Sequence, residues 1–229
     1  VKKIVVLTGA GVSAESGIPT FRDSGGLWEG HNIEDVATPE GWHRNPKMVL
    51  EFYNQRRKAA LQANPNLAHE LIAKLQDYFE VTVVTQNVDN LHEKAGSKKV
   101  IHLHGSIFEA RSTHNPSLVY PIKGEIKLGD KCEKGSQLRP NIVWFGEMVP
   151  AMEPAIKEAS GSDIFIVVGT SLLVYPAAGL LDYVSRGIPR FIIDPKMPTI
   201  APEDKLFLIE EKATIGMRKV FDTILSEFH

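Results

Sequence analysis

The feature that most constrains this chain is a series of short runs that are apolar without interruption. They cover residues 4–8, 81–85, 100–103, 142–145, 164–168, 191–193 and 206–209. Most do not alternate with polar residues, so as strands they must be covered on both faces, the pattern of a parallel sheet. Stretches with helical character separate many of them, at residues 67–78, 89–95, 154–159, 177–186 and 215–227. Strand and helix in alternation predict an α/β fold, a doubly wound (Rossmann-like) parallel sheet. Two stretches break the rhythm. Residues 28–79 hold no good strand but a helix over 46–62, with Pro46 in its first turn. Residues 105–140 are irregular and rich in Gly, Pro, Ser and Lys. Both read as insertions forming a small lobe. The large domain is then drawn from about 1–27, 80–104 and 141–229, and the cleft between the two parts is the expected ligand site.

Charge and cysteine content narrow the function. Lys and Arg number 26 against 28 Asp and Glu, a net charge of −2, which leaves no basic excess for a general polyanion binder. No nucleic-acid partner is expected. No apolar run approaches the 18 to 20 residues of a membrane span, so no membrane partner is expected either. The apolar stretch at residues 4–7 is too short for a signal peptide and reads as a strand. Cys132 is the only cysteine, which excludes an internal disulfide and a multi-cysteine metal centre and fits a reducing compartment, the cytoplasm.

The ends of the runs carry the chemistry. Residues 4–8 pass directly into Gly9-Ala10-Gly11-Val12-Ser13-Ala14-Glu15. Glycines after a strand let backbone amides approach a pyrophosphate at a helix N-terminus. A tight turn without ligand is the plainer reading. The ribose-binding acid of an ordinary dehydrogenase is not where it should be. Arg22 instead offers a forked phosphate donor and Phe21 a flat apolar face, unless Arg22 only pairs with Asp23 or Glu15. The run 81–85 ends in Gln86-Asn87-Val88-Asp89, two amides and a carboxylate suited to holding an amide and a sugar, although Asp89 could simply cap a helix. His102 and His104 share a strand face. His-x-His can ligate a metal, but no complementary ligand motif accompanies it. His102 therefore reads as structural, and His104, beside Gly105, as a general base. Gly169-Thr170-Ser171 and Asp194 end two further runs with small or polar residues.

These pieces together resemble the sirtuin family of NAD-dependent protein lysine deacylases. The resemblance is carried, in order, by residues 9–13, Gly17-Ile18-Pro19-Thr20-Phe21-Arg22, residues 85–92, Leu103-His104-Gly105, Phe145-Gly146-Glu147 and Gly169-Thr170-Ser171. It implies a single catalytic unit in which NAD and an acyl-lysine protein or peptide enter a cleft from opposite sides. It implies NAD contacts at Gly9, Ala10, Gly11, Ser13, Glu15, Thr20, Phe21, Arg22 and Trp28. Gln86, Asn87 and Asp89 line the ribose and nicotinamide pocket, and Gly169, Thr170, Ser171, Asp194, Pro195, Lys196 and Ala213 hold the adenosine half. Catalysis falls to His104 and Asn87. Substrate peptide adds as a strand between the segment with Val143, Phe145 and Gly146 and the segment with Val174 and Tyr175. The implied reaction begins with attack of the acyl oxygen on the nicotinamide ribose and ends with release of lysine, nicotinamide and 2′-O-acyl-ADP-ribose.

Tyr53 and Arg56, three apart on the expected helix, resemble the Tyr-x-x-Arg pair of sirtuins that remove succinyl, malonyl or glutaryl groups, and Ala37 matches a position that leaves room for a longer acyl chain. A phenol beside a guanidinium is a carboxylate receptor. Without the family context, Arg56 and Arg57 would read as a solvated face with Glu51. The chain departs from the family in lacking the four cysteines of a structural zinc site, so no zinc is expected, and residues 111–139 are expected to be held by packing alone or to be partly disordered. Asp194 and Lys196 stand where the family usually has Asn and Glu. ADP-ribosyl transfer, a non-catalytic NAD or ADP-ribose sensor, and a metal amidohydrolase built on His102 and His104 are the rival functions.

Overall fold

The computed structural model describes residues 1–20, 27–28, 30–197 and 199–228. In chain order the elements are β1 (Lys3–Thr8), α1 (Gly11–Ala14), β2 (Leu27–Trp28), β3 (His31–Asn32), α2 (Ile33–Val36), α3 (Pro39–Arg44), α4 (Pro46–Gln62) and α5 (Leu67–Lys74). They continue with β4 (Glu80–Thr85), α6 (Leu91–Lys94), β5 (Val100–His102), β6 (Gly105–Ser112), β7 (Val119–Pro121), β8 (Leu138–Ile142) and α7 (Met152–Ser160). Last come β9 (Ile164–Val168), a 3-10 segment (Ala177–Tyr183), β10 (Arg190–Ile193), β11 (Leu206–Ile209) and α8 (Ala213–Glu227).

Six strands form one parallel sheet in the order β11-β10-β9-β1-β4-β5. The unbroken apolar runs are explained by what covers them. Ile4, Val6, Ile164 and Ile166 pack under α5 and α8, while Val5, Leu7, Phe165 and Val167 pack under α7 and the 3-10 segment. Both faces are buried, so alternation has nowhere to appear. From β1 the chain winds one way through β4 and β5, and the other way through β9, β10 and β11. The order reverses between β1 and β9, and such a reversal opens a crevice at the carboxyl ends of the strands.

The small lobe differs from its sequence reading. The run 142–145 is not a strand of the parallel sheet: β8 ends at Ile142 and belongs to a separate antiparallel sheet, β7-β6-β8. Residues 105–140 are therefore not merely irregular. The pattern hid this because β6 buries only Ile107, Ala110 and Ser112, its pairing with β8 shifts register between Ser106 and Ala110, and β8 contains Pro140. Short, half-buried strands with a bulge carry weak periodicity. A two-residue hairpin, β2-β3, also lies inside 28–79. The helix over 46–62 is present as read, with Asn45 Oδ1 accepting from the Met48 amide 3.1 Å away and Pro46 in the first turn. The helix read over 67–78 stops at Lys74 and tightens to a 3-10 turn, and the one read over 177–186 is a 3-10 segment that ends at Tyr183.

Packing and polar ties both anchor this sheet, more than the packing alone expected from sequence. Phe52, Tyr53, Ile107, Ile142 and Trp144 form one buried cluster, and Leu50, Ala110 and Ile126 another. Asn54 clamps Ile126, donating to its carbonyl and accepting from its amide, each at 2.9 Å. Buried Arg57 reaches from α4 to the carbonyls of Ile107, at 2.6 Å, and Gly124, at 3.2 Å. Cys132 is buried against Ser112. Among the described residues no group of three or more His, Cys, Asp or Glu is placed to hold a metal ion. Likewise, no helix among them is long and apolar enough to cross a membrane.

Candidate active site

The crevice at the strand reversal is built by two interlocked turns. Gly11 donates to the Gly169 carbonyl at 2.8 Å, and Gly9 donates to the Val168 carbonyl at 3.0 Å. A Cβ on Gly11 would sit 2.7 Å from Gly169 Cα, and one on Gly9 would sit 2.7 Å from Thr170 Cβ. The residues after β1 and β9 must be bare for the turns to mesh. The approach needed for a pyrophosphate is thus part of the fold, and this cradle fits a dinucleotide.

From the cradle a cavity of about 680 Å³ runs between the sheet and the small lobe. It brings together the residues read as cofactor contacts after β1, β4, β9 and β10, with Trp28 and Ala213. His104, Ala37, Tyr53, Arg56, Val143, Phe145, Gly146, Val174 and Tyr175 line the same space. Phe21 and Arg22 lie outside the described residues. The sequence reading missed Ala59, Ala60, Ile107 and Lys212 as lining residues. Ala59 and Ala60 follow Arg56 by three and four positions on α4, so helical periodicity could have found them. Ile107 could not be found without reading β6 as a strand.

His104 sits just past β5. Its Nδ1 is 3.0 Å from the Gln86 carbonyl, which accepts only, so Nδ1 carries the proton and Nε2 keeps its lone pair. Burial pulls the His104 pKa below its usual value, with the Gln86 carbonyl opposing. The imidazole is therefore neutral near pH 7, as a base must be. Asn87 Nδ2 donates to Ser13 Oγ at 3.1 Å, and Ser13 Oγ donates to Asp89 Oδ2 at 3.1 Å. Asp89 Oδ1 accepts from the Leu91 amide at 3.0 Å, so this carboxylate caps the turn into α6 and anchors Ser13 at once. Burial raises its pKa. Gln86 Nε2 donates to Thr170 Oγ1 at 3.0 Å, tying the ends of β4 and β9 across the reversal. Glu15 accepts from the Thr214 amide and hydroxyl, and Asp194 accepts from the Lys196 amide.

His102 does not aim with His104. Its Nδ1 is 3.0 Å from the Asn87 carbonyl and its Nε2 2.7 Å from Glu93 Oε1. Both nitrogens are engaged, which fits the structural reading. Burial alone would lower its pKa, but Glu93 and the Asn87 carbonyl carry it above the usual value.

Behind Ser13 lies a buried histidine pair that the sequence reading did not single out. The rings of His69 and His92 are 4.9 Å apart, with His69 Nε2 3.4 Å from Ser13 Oγ and His92 Nε2 2.9 Å from Thr8 Oγ1. Burial lowers His69 to about 4 and His92 well below its usual value. The unfolded chain then binds protons near pH 6.5 that the folded chain refuses, so stability falls as pH drops from 6.5 towards 4. His69 alone accounts for about 3 kcal/mol across that window. Urea unfolding at pH 7.5 and pH 5 should show the loss, and His69→Gln should flatten it. An unchanged slope in that variant would assign the acid sensitivity elsewhere.

At the other end of the cleft, α4 presents Tyr53 and Arg56 one turn apart. Arg56 lays its guanidinium over the Trp28 ring, 4.0 Å from the centroid, and 5.5 Å from that of Phe52. Tyr53 is fully buried, and burial raises its pKa so that it stays a neutral phenol. Ala37 is held beside this end by its carbonyl, which accepts from the Phe145 amide at 3.0 Å. Phe145, Leu173 and Tyr175 stand exposed at the rim.

Known proteins share this fold. The profile of the Sir2 family matches residues 9–176. A protein of Bacteroides thetaiotaomicron named NAD-dependent protein deacylase is 51% identical over 225 residues, covering 96% of each chain. The crystal structure of a Sir2 homologue–NAD complex aligns with a TM-score of 0.87 at 40% identity, covering 98% of this chain and 90% of that one. A Sir2 complex holding an inhibitor, 2′-O-acetyl-ADP-ribose and a deacetylated peptide aligns at 0.78 and 34% identity, over 96% and 93% of the two chains.

Proposed function

This chain belongs to the Sir2 family and is an NAD-dependent protein deacylase, and from that premise we propose that it favours acyl groups ending in a carboxylate, such as succinyl and malonyl. The observation that carries this reading is that Tyr53 and Arg56 line the same cavity as His104. A neutral phenol and a fixed cation one helical turn apart can each bind one oxygen of a carboxylate, with Arg able to bind in a fork. An acetyl group has nothing to offer them. The small Ala37, Ala59 and Ala60 leave room for the longer chain.

In this reading the cradle of Gly9, Gly11 and Gly169 takes the pyrophosphate. Asn87 and Asp89, fixed through Ser13, hold the ribose and nicotinamide end, and the residues after β9 and β10 take the adenosine. Bound NAD supplies an electrophilic sugar carbon for the acyl oxygen to attack as nicotinamide leaves. His104 Nε2 then takes a ribose hydroxyl proton. Substrate peptide lies along the exposed rim between residues 143–146 and 174–175, using main-chain bonds. The single, buried cysteine is compatible with work in the cytoplasm.

The test is mass spectrometry of acetyl-, succinyl- and malonyl-lysine peptides with and without NAD. Removal should require NAD and release nicotinamide. Arg56→Met should lower succinyl turnover at least about tenfold relative to acetyl, the worth of a charge-assisted bond. Succinyl turnover intact in that variant would refute the acidic-acyl reading.

A further inference from the structure

The acyl end of the cleft holds one more polar contact, and its direction has a consequence. Among the described residues, the hydroxyl of Tyr53 has one hydrogen-bond partner, the indole Nε1 of Trp144 at 3.1 Å. An indole N–H donates and cannot accept. The Tyr53 oxygen is therefore the acceptor, and its own proton is left to point elsewhere. Tyr53, Trp144 and Arg56 all line the cleft. We propose that Trp144 is a positioning residue for acyl selectivity, which holds the Tyr53 oxygen as acceptor and so turns the phenolic proton towards the terminal carboxylate of the acyl group. This rests on the acidic-acyl reading above and names a residue outside the Tyr-x-x-Arg pair.

The orientation matters because it sets a sign. A phenol that aims its lone pairs at a carboxylate repels it, and one that aims its proton attracts it. A freely rotating hydroxyl must be ordered when the acyl group binds, whereas a hydroxyl already held by a fixed donor need not be.

Trp144 is itself held fast. Its buried ring lies under the guanidinium of Arg139, 3.3 Å from the ring centroid. Arg139 is forked onto Glu147, with Nη1 2.7 Å from Oε1 and Nη2 3.1 Å from Oε2, and Nη2 also donates to the Ile142 carbonyl at 2.8 Å. The backbone amide of Trp144 donates to Oε2 of the same carboxylate at 2.8 Å. Arg111 adds a second cation to Glu147. One carboxylate thus fixes the main chain of Trp144 and the cation stacked on its face. The indole cannot swing away from Tyr53 without disturbing a largely buried ion pair, and breaking such a pair is costly.

The experiment compares wild type, Tyr53→Phe, Trp144→Phe and the double variant on acetyl- and succinyl-peptides. Phenylalanine keeps an aromatic ring under Arg139 and removes the donor together with part of the indole's packing, a loss that both acyl activities would register alike. The expected result is a fall of about tenfold in the succinyl-to-acetyl ratio of kcat/KM for Trp144→Phe. The fall should appear in the succinyl KM, and the double variant should lose no more than Tyr53→Phe alone. A Trp144 that serves packing alone would lower both acyl activities together and leave the ratio unchanged, and losses that multiply in the double variant would mean that Trp144 acts independently of Tyr53. Either result overturns the proposal while the response to Tyr53→Phe and Arg56→Met keeps the acidic-acyl reading alive. A ratio that responds to none of the three residues overturns both.

Discussion

His104→Tyr should abolish deacylation of every acyl-peptide while leaving a folded protein. A general base contributes about 10²–10⁴ in rate, and tyrosine cannot replace it, because a phenol with a pKa near 10 holds its proton at pH 7. It also has no ring nitrogen to repeat the bond that Nδ1 makes to the Gln86 carbonyl. Circular dichroism should be unchanged, since His104 lies past the end of β5 and faces the cleft. The wild-type pH profile supplies an independent check. Burial holds the His104 pKa below 6.5, so the base is already competent at pH 7. As pH falls, kcat/KM should drop only below 6.5, on the acid side of an unperturbed histidine. His102 predicts the opposite position, because Glu93 beside it raises its pKa. An acid limb centred well above 6.5 would therefore point to His102. Deacylation by the folded tyrosine variant at more than about a tenth of wild type would remove His104 from the base role, given that expected range.

The parts of this molecule that could be read from sequence are those whose physics is local. A strand buried on both faces must be apolar at every position, so β1, β4 and β9 announce themselves, and the polar or small residues that follow them mark the crevice. Helix α4 was legible from Pro46 and its periodicity. What escaped depends on distant partners. β6 and β8 pair through a register shift and are buried at only some positions, without strict alternation, and nothing in residues 105–140 states that Asn54 and Arg57, on α4, will supply their polar anchors. The contact between Tyr53 and Trp144 spans 91 positions. Trp144 read as one member of a peptide-binding edge because its neighbours Phe145 and Gly146 dominate that motif. The histidine pair escaped for the same reason: His69 on α5 and His92 on α6 lie 23 positions apart and meet only when those two helices pack together.

Gly169→Ala should damage the enzyme more than its single added methyl suggests. Gly169 has φ +65°, where a side chain costs about 1–2 kcal/mol. The new Cβ would also fall 2.3 Å from Val12 N and 2.5 Å from Gly11 C, both backbone atoms of the facing turn. No rotamer relieves that contact, so a turn must move, at a further cost of about 1–3 kcal/mol. The sum, about 2–5 kcal/mol, is lower than the stability of an ordinary domain and the protein should still fold, with a lower urea midpoint. Cofactor binding has less tolerance. Restoring van der Waals distance shifts the cradle by roughly 1 Å, and displacements of that size cost about 10²-fold where groups must be aligned. Isothermal titration with NAD should therefore show a larger loss than the unfolding curve does. Gly161→Ala is the matched control: at the end of α7 its Cβ would meet nothing closer than 3.5 Å, at an ordinary negative φ, so both measurements should stay near wild type. Wild-type affinity for NAD in Gly169→Ala would separate the meshed turns from the dinucleotide, and the site would have to be sought elsewhere in the cleft.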